Sequence, residues 1–350
     1  MTPKHRCYRL SWCVGLVVIA CMPWQIARAE EPPASFTMVD ATCETTRTQE
    51  VTTAVQGVIK TAALGACVTA DSAVGKERVE QRHARLLPLI LFDRSLEQAS
   101  SFQTLLRSNM LLPVEHGYQV SEGRLSIPSG FLLIGQSAKP RQVDLFVMAL
   151  CPYGQTAQRA LAGFLDTHPN PGVTIQLHYI VNATPYGICS MHGEAEVTEN
   201  IRQLLIQRHH PDRLWKYLTA RLNNQTFEEA AEAVGIKSQD ILKRERKEGL
   251  ELLRRDAQLT HQLHMTASPT VLWENQYVLA AFQDLKAREP FRDLVIPQQP
   301  AGRCGAGPMP PASAPTGTAA PTTLPAPQKT PAAADATPSS ITPATQPVYQ

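Results

Sequence analysis

The residues of this chain best placed for covalent chemistry are Cys151-Pro152-Tyr153-Gly154. Val143, Leu145, Phe146 and Val147, just before them, form the near-continuous apolar run of a buried strand. After them, Ala157, Ala160, Leu161, Phe164 and Leu165 recur at helical spacing, and Pro152 suits a first helical position. The pattern predicts a strand, a sharp turn and a helix that starts at Cys151. Unpaired N–H groups and the positive end of the helix dipole favour an anion there, and hence the thiolate. Cys151 is therefore a candidate nucleophile.

The segments that must hold this turn in place follow it. Asn170-Pro171-Gly172 is a turn signal, and the stretch 173–181 is rich in β-formers, so strand, helix and strand predict a right-handed parallel crossover. Helical patterns come next. Val197, Ile201, Leu204 and Leu205 form one stripe. Pro211 opens a helix carrying Leu214, Trp215, Leu218 and Leu222, Thr226 and Glu229 have capping-box spacing, and Gly235 fits a stop. A longer helix is expected from Ser238 to about His264. Ser268-Pro269-Thr270 then leads into Val271-Leu272-Trp273, a turn at Glu274-Asn275 and the strand Tyr277–Ala280, which reads as a hairpin. A final helix near Gln283 to Leu294 would close the domain.

Residues 30–139 read as a small α+β accessory region. Val55, Val58, Ile59 and Ala62 fall at i, i+3, i+4 and i+7, bracketed by Cys43 and Cys67, for which a local structural disulfide is the simplest use. Leu89–Phe92 predicts a buried strand, and Ser95-Leu96-Glu97-Gln98 a capping box that opens a helix through Phe102, Leu105 and Leu106. Short strands and turns are expected over 111–139. Residues 299–350 are Pro-, Ala-, Thr- and Ser-rich with almost no large apolar side chains, which predicts a disordered tail.

The first 29 residues predict an export signal: Lys4, Arg6 and Arg9, an apolar stretch from Trp12 to Ala20, and Ala27-Arg28-Ala29 as a cleavage site. The alternative is a lipoprotein box at Val18-Ile19-Ala20-Cys21, which would attach a lipid, and so the membrane, at Cys21. Removal of the signal leaves Cys43, Cys67, Cys151, Cys189 and Cys304, an odd number. In an oxidising periplasm at least one stays outside internal pairs. The net charge of +2, and basic residues interleaved with acids as in Lys243-Arg244-Glu245-Arg246, exclude an extended nucleic-acid surface. Glu194 and Glu196 stand two and four residues after His192 with Gly193 between, whereas helical metal ligands are useful at i, i+3 or i+4, so the cluster reads as hydrogen-bonding groups at a helix entry; no metal site is expected.

The order strand, Cys-Pro-Tyr-Gly, helix, strand, helical insertion, Ser-Pro-Thr, hairpin, helix resembles the thioredoxin-like fold in its DsbA-like form, over about residues 140–298. The resemblance implies that Cys151 attacks disulfides and that a cis-Pro loop, Ser268-Pro269-Thr270, lies against it. It also implies that a buried carboxylate beneath the cysteine, here Asp144, accepts protons, although solvation at a sheet edge explains Asp144 as well. Ser190–Asn200 is similar to the signature of the γ-interferon-inducible lysosomal thiol reductase family: His192, Gly193, Glu196 and Asn200 fit in register, while its three cysteine positions are Ser190, Val197 and Leu205 here. The second cysteine of the Cys-x-x-Cys pair is Gly154. Release of a mixed disulfide must then come from an external thiol such as glutathione, as in the monothiol glutaredoxins that Cys-Pro-Tyr also resembles, or from Cys189. The function expected is an exported thiol–disulfide oxidoreductase-like protein without a resident cofactor, acting through Cys151 on thiols or disulfides of cell-envelope proteins and served by a redox partner protein. The alternative is an inactive thioredoxin-fold binding or assembly module of the envelope.

Overall fold

The computed structural model describes residues 32–298 except Tyr186, together with Cys304 and Gly305. The predicted signal, the lipid site at Cys21 and nearly all of the predicted tail lie outside the described residues. No helix among the described residues is long and apolar enough to cross a membrane.

The chain begins with strand β1 (Ala34–Asp40), helix α1 (Thr45–Gln56), β2 (Ala62–Thr69) and α2 (Ala73–Gln81). Strands β3 (Leu86–Leu87) and β4 (Leu89–Phe92), helix α3 (Phe102–Arg107), and strands β5 (Leu111–Val114), β6 (Gly117–Val120) and β7 (Phe131–Leu133) follow. One five-stranded sheet has the order β2-β1-β4-β6-β5. Its buried Phe36, Met38 and Ile90 pack with Val51 and Val55 of α1 and with Leu96 to make a core of their own. Cys43 and Cys67 are joined by a disulfide across a separation of 24 residues, tying the entry of α1 to β2. Two local expectations are corrected here. Helix α1 ends at Gln56, before Val58 and Ile59. The segment after Ser95 is a 3-10 turn, Arg94–Gln98, capped by the Asp93 carboxylate, and α3 starts only at Phe102.

The second half runs β8 (Gln142–Val147), α4 (Pro152–Thr167), β9 (Thr174–Tyr179), and the hairpin β10 (Asn182–Thr184) and β11 (Gly187–Cys189). Then come α5 (Glu194–His209), α6 (Leu214–Leu222), α7 (Phe227–Ala233), α8 (Ser238–Arg244) and α9 (Leu250–Gln262). Strands β12 (Ala267–Ser268), β13 (Thr270–Trp273), β14 (Tyr277–Val278) and β15 (Cys304–Gly305) complete it. Strands β8 and β9 are parallel across α4, as a crossover requires, and β13 runs antiparallel to β8 and pairs with β14. Val143, Leu145 and Val147 point to the face on which Ala157, Ala160, Leu161 and Phe164 of α4 pack with Leu205, Tyr217 and Leu218 of the inserted helices. Each fully buried leucine of this set is worth about 2–3 kcal/mol.

The predicted helix from Ser238 is continuous in course but carries a π-turn, Glu245–Gly249, between α8 and α9. A Cβ on Gly249 would sit 2.5 Å from Ile201 Cγ2, so this glycine lets the helix press onto α5. The predicted closing helix is instead two 3-10 turns, Phe282–Ala287 and Phe291–Asp293, because Pro290 cannot extend a helix begun before it.

The topology alters two expectations about domains. The region 30–139 repeats the plan of the second half: β1, α1 and β2 form a parallel crossover, and β4, after the cis Leu87–Pro88 bond, returns antiparallel to β1 and pairs with β6. The expected boundary at residue 139/140 is also not a boundary of the sheet. The six-stranded sheet has the order β3-β7-β14-β13-β8-β9, so two of its strands come from before residue 140. The halves approach closely at Gly130 (φ +84°), where a Cβ would lie 2.8 Å from the Val278 carbonyl oxygen, and Arg288 donates to the Ser129 carbonyl at 2.6 Å. The tail is corrected at one point: Cys304 and Gly305 are strand, antiparallel to β12.

Candidate active site

Cys151 is the N-cap of α4, in extended conformation with Pro152 at the head of the helix. Its thiol is fully buried, and Sγ lies 3.8 Å from the carbonyl oxygen of Ser268, which precedes the cis Ser268–Pro269 bond. Thr270, after the proline, donates its hydroxyl to the Ala267 carbonyl at 2.6 Å and pairs with Phe146 of β8. Cys151 and Met148 share an apolar cluster with Phe146, Ile180, Met265 and Leu272, against which the Tyr153 ring packs. Two stretches more than a hundred residues apart in sequence thus meet at one sulfur.

The turn 148–150 would be mobile if its backbone N–H groups were open, and side chains from other elements take each of them. The Met148 N–H donates to Ser268 Oγ at 3.0 Å, the Ala149 N–H to Asn200 Oδ1 at 3.2 Å, and the Leu150 N–H to Glu196 Oε1 at 2.7 Å. Glu196 is fully buried. Its other oxygen accepts from the Ser190 hydroxyl and from the His192 N–H at 3.2 Å, and His192 Nδ1 lies 2.9 Å from Oε1 and 3.0 Å from Oε2. Sequence reasoning placed His192 and Glu196 at a helix entry, where they are, but missed that Glu196 and Asn200 of α5 position the turn carrying Cys151. The signal was the partial signature itself, in which both residues fall in register.

Glu196→Ala leaves the Leu150 N–H and the Ser190 hydroxyl without a buried acceptor. It is expected to lower unfolding free energy by about 2–4 kcal/mol, with a smaller loss for Glu196→Gln, which keeps Oε1 as acceptor; urea unfolding of the pair measures this.

Gly154 explains the missing second cysteine. A Cβ there would stand 2.6 Å from Ser268 Oγ and 3.0 Å from the Met148 carbonyl oxygen. Ser268 Oγ is fixed by the Met148 N–H, so a side chain at 154 would have to break the bond that holds the turn to the Pro269 loop. Cys189 is exposed on the β10–β11 hairpin. Its Sγ is 3.6 Å from the Asn182 carbonyl oxygen across the strand pair, and it is not bonded to Cys151.

Asp144 is buried, contrary to an edge-solvated carboxylate. Gln142 donates to it at 2.7 Å, and His178 Nε2 lies 3.2 Å away; the other ring nitrogen of His178 is 3.0 Å from Asp256 of α9. Burial alone would lower the His178 pKa, but hydrogen bonds and charge from Asp144 and Asp256 outweigh it and raise the value to about 9. The imidazolium stacks on Phe146, with centroids 5.0 Å apart, in the layer that continues to Cys151.

No protein-family model matches the chain, and no curated protein matches it. Solved structures do. Oxidised BdbD from Bacillus subtilis is 16% identical, with 45% of this chain and 94% of that one covered at a TM-score of 0.34. The thiol-disulfide exchange protein alpha-DsbA2 from Wolbachia pipientis is 12% identical over 44% and 81%, at 0.32. The oxidoreductase NmDsbA1 from N. meningitidis is 11% identical over 44% and 81%, at 0.32. By its own β8–α4–β9 crossover, its inserted helices, its Pro269 loop and its β13–β14 pair, the second half of this chain has a thioredoxin-like fold of DsbA-like form.

Proposed function

We propose that the protein is an exported thiol–disulfide oxidoreductase that acts through Cys151 on disulfides or thiols of cell-envelope proteins. The observation that carries this is the meeting of a thiol at the head of α4 with the carbonyl that precedes Pro269. A thiolate at that point attacks one sulfur of a substrate disulfide, the S–S bond breaks, and the second substrate sulfur leaves as a thiolate that takes up a proton. The short strand β12, which pairs with β15 in this structure, would offer backbone groups to an extended substrate as an added strand once β15 leaves it. The Cys43–Cys67 disulfide supports an oxidising compartment, in keeping with the export signal. Glutathione or another external thiol serves as co-substrate.

A binding module without turnover is favoured by one observation, the complete burial of Cys151. The two readings part in a trapping experiment. Reduced protein is mixed with a peptide disulfide, quenched in acid and mapped by mass. The enzyme reading expects the peptide on Cys151 within the first turnover; labelling of exposed Cys189 alone, with Cys151 unmodified until the protein is denatured, overturns it.

A further inference from the structure

We infer that Cys304 is the resolving thiol for Cys151, supplied by the chain beyond the domain rather than by the active-site turn. The inference rests on the thiol-exchange reading above and adds the missing second half of the reaction. Strand β15 pairs antiparallel with β12 in a fixed register, Ala267 opposite Gly305 and Ser268 opposite Cys304. Directly opposed residues of an antiparallel pair have Cα atoms about 5 Å apart. Ser268 is the residue whose carbonyl oxygen lies 3.8 Å from Cys151 Sγ. The backbone of β15 also comes within 8 Å, Cα to Cα, of helix α4, which Cys151 opens. A disulfide needs Cα atoms within roughly 7 Å, and this register sets the Cys304 backbone opposite the residue that touches the Cys151 thiol.

The other sources of a second thiol fit less well. Position 154 has no room for a side chain, Cys43 and Cys67 are bonded to each other, and Cys189 is engaged at an exposed hairpin. The location also has a consequence for substrate. The edge of β12 that an extended peptide would take is occupied by the chain's own strand, so β15 must leave to admit substrate and return to resolve it.

The steps balance. Cys151 thiolate attacks a substrate disulfide, forming a Cys151–substrate disulfide and releasing one substrate thiol. Cys304 thiolate then attacks Cys151 Sγ, the bond to substrate breaks, and the second substrate thiol leaves with a proton. The substrate gains two electrons and two protons, and the Cys151/Cys304 dithiol becomes a disulfide. An external dithiol protein or glutathione restores the dithiol.

The test uses the full chain, Cys304→Ser and Cys189→Ser, each reduced and then given a peptide disulfide. Unreduced peptide mapping of the native chain should find Cys151 linked to Cys304. In Cys304→Ser the Cys151–peptide disulfide should still form but be released about tenfold more slowly or worse. Unchanged release in Cys304→Ser, or slowed release in Cys189→Ser with a Cys151–Cys189 link in the native chain, overturns the inference while leaving thiol exchange intact. Absence of any Cys151–peptide disulfide in all three proteins instead removes the exchange reading on which it stands.

Discussion

Replacing Cys151 by serine is expected to lower the rate of peptide-disulfide cleavage by about three orders of magnitude or more, with the fold unchanged. Only an ionisable sulfur attacks sulfur readily, and a serine hydroxyl stays protonated at neutral pH. The structural effect should be small, since the thiol's hydrogen bond is the 3.8 Å contact to the Ser268 carbonyl, a weak donor interaction. Serine is also a favourable N-cap, which Cys151, without a side-chain cap bond, is not. Activity and stability therefore separate. Cleavage measured beside a thermal melt should show the first lost and the second equal to, or slightly above, that of the native protein. A variant that retains cleavage at a tenth of the native rate, mapped away from Cys189, would show that the nucleophile lies elsewhere.

Replacing His178 by alanine should destabilise the fold by about 3–5 kcal/mol near pH 6, because it removes the cation between two buried carboxylates. Asp144 approaches one ring nitrogen at 3.2 Å and Asp256 the other at 3.0 Å, while the second oxygen of Asp256 accepts the Tyr179 N–H at 2.7 Å. The alanine variant keeps both carboxylates and leaves them facing each other. The pH dependence follows from the raised pKa of about 9. A group whose folded pKa exceeds its unfolded value, about 6.5 for histidine, contributes fully below the unfolded value and loses that contribution as pH rises through the folded one. The shift corresponds to about 3 kcal/mol. Urea unfolding at pH 6 and at pH 9.5 should show the native protein losing stability between them, and the gap to His178→Ala narrowing. Equal gaps at the two pH values would mean that the imidazole is neutral throughout and that the carboxylates share no cation.

The parts of the site legible in the sequence are those encoded locally. The apolar run ending in Cys151 and the helical repeat after it fix a strand, a turn and a helix, because burial and capping depend on neighbours in sequence. Ser268-Pro269-Thr270 was legible only by its place before a hairpin. What escaped depends on distant contacts. His178 looks like one residue of a β-rich stretch, and nothing near it announces Asp144 or Asp256. The first half hid its topology for another reason: β2 reads AALGACVT, small residues of low β-propensity, and β1 is only partly alternating, so no strong period marked its parallel pair. Strand β15 is the extreme case. Two residues in a Pro- and Ala-rich stretch have no pattern, and only the open edge of β12 gives them a conformation.

The sheet shared between the two halves bears on how the protein can be used. Outside β14 the sheet continues only through β7 and β3, which precede residue 140. A fragment cut at the sequence boundary would carry all of the site chemistry, yet bare the backbone of Tyr277 and Val278 along an open edge, a template for pairing with other chains. The thiol-bearing half is therefore not a portable module. In the whole protein that edge is covered by β7 and, beyond it, β3, the two strands that the first half lends to the second half's sheet.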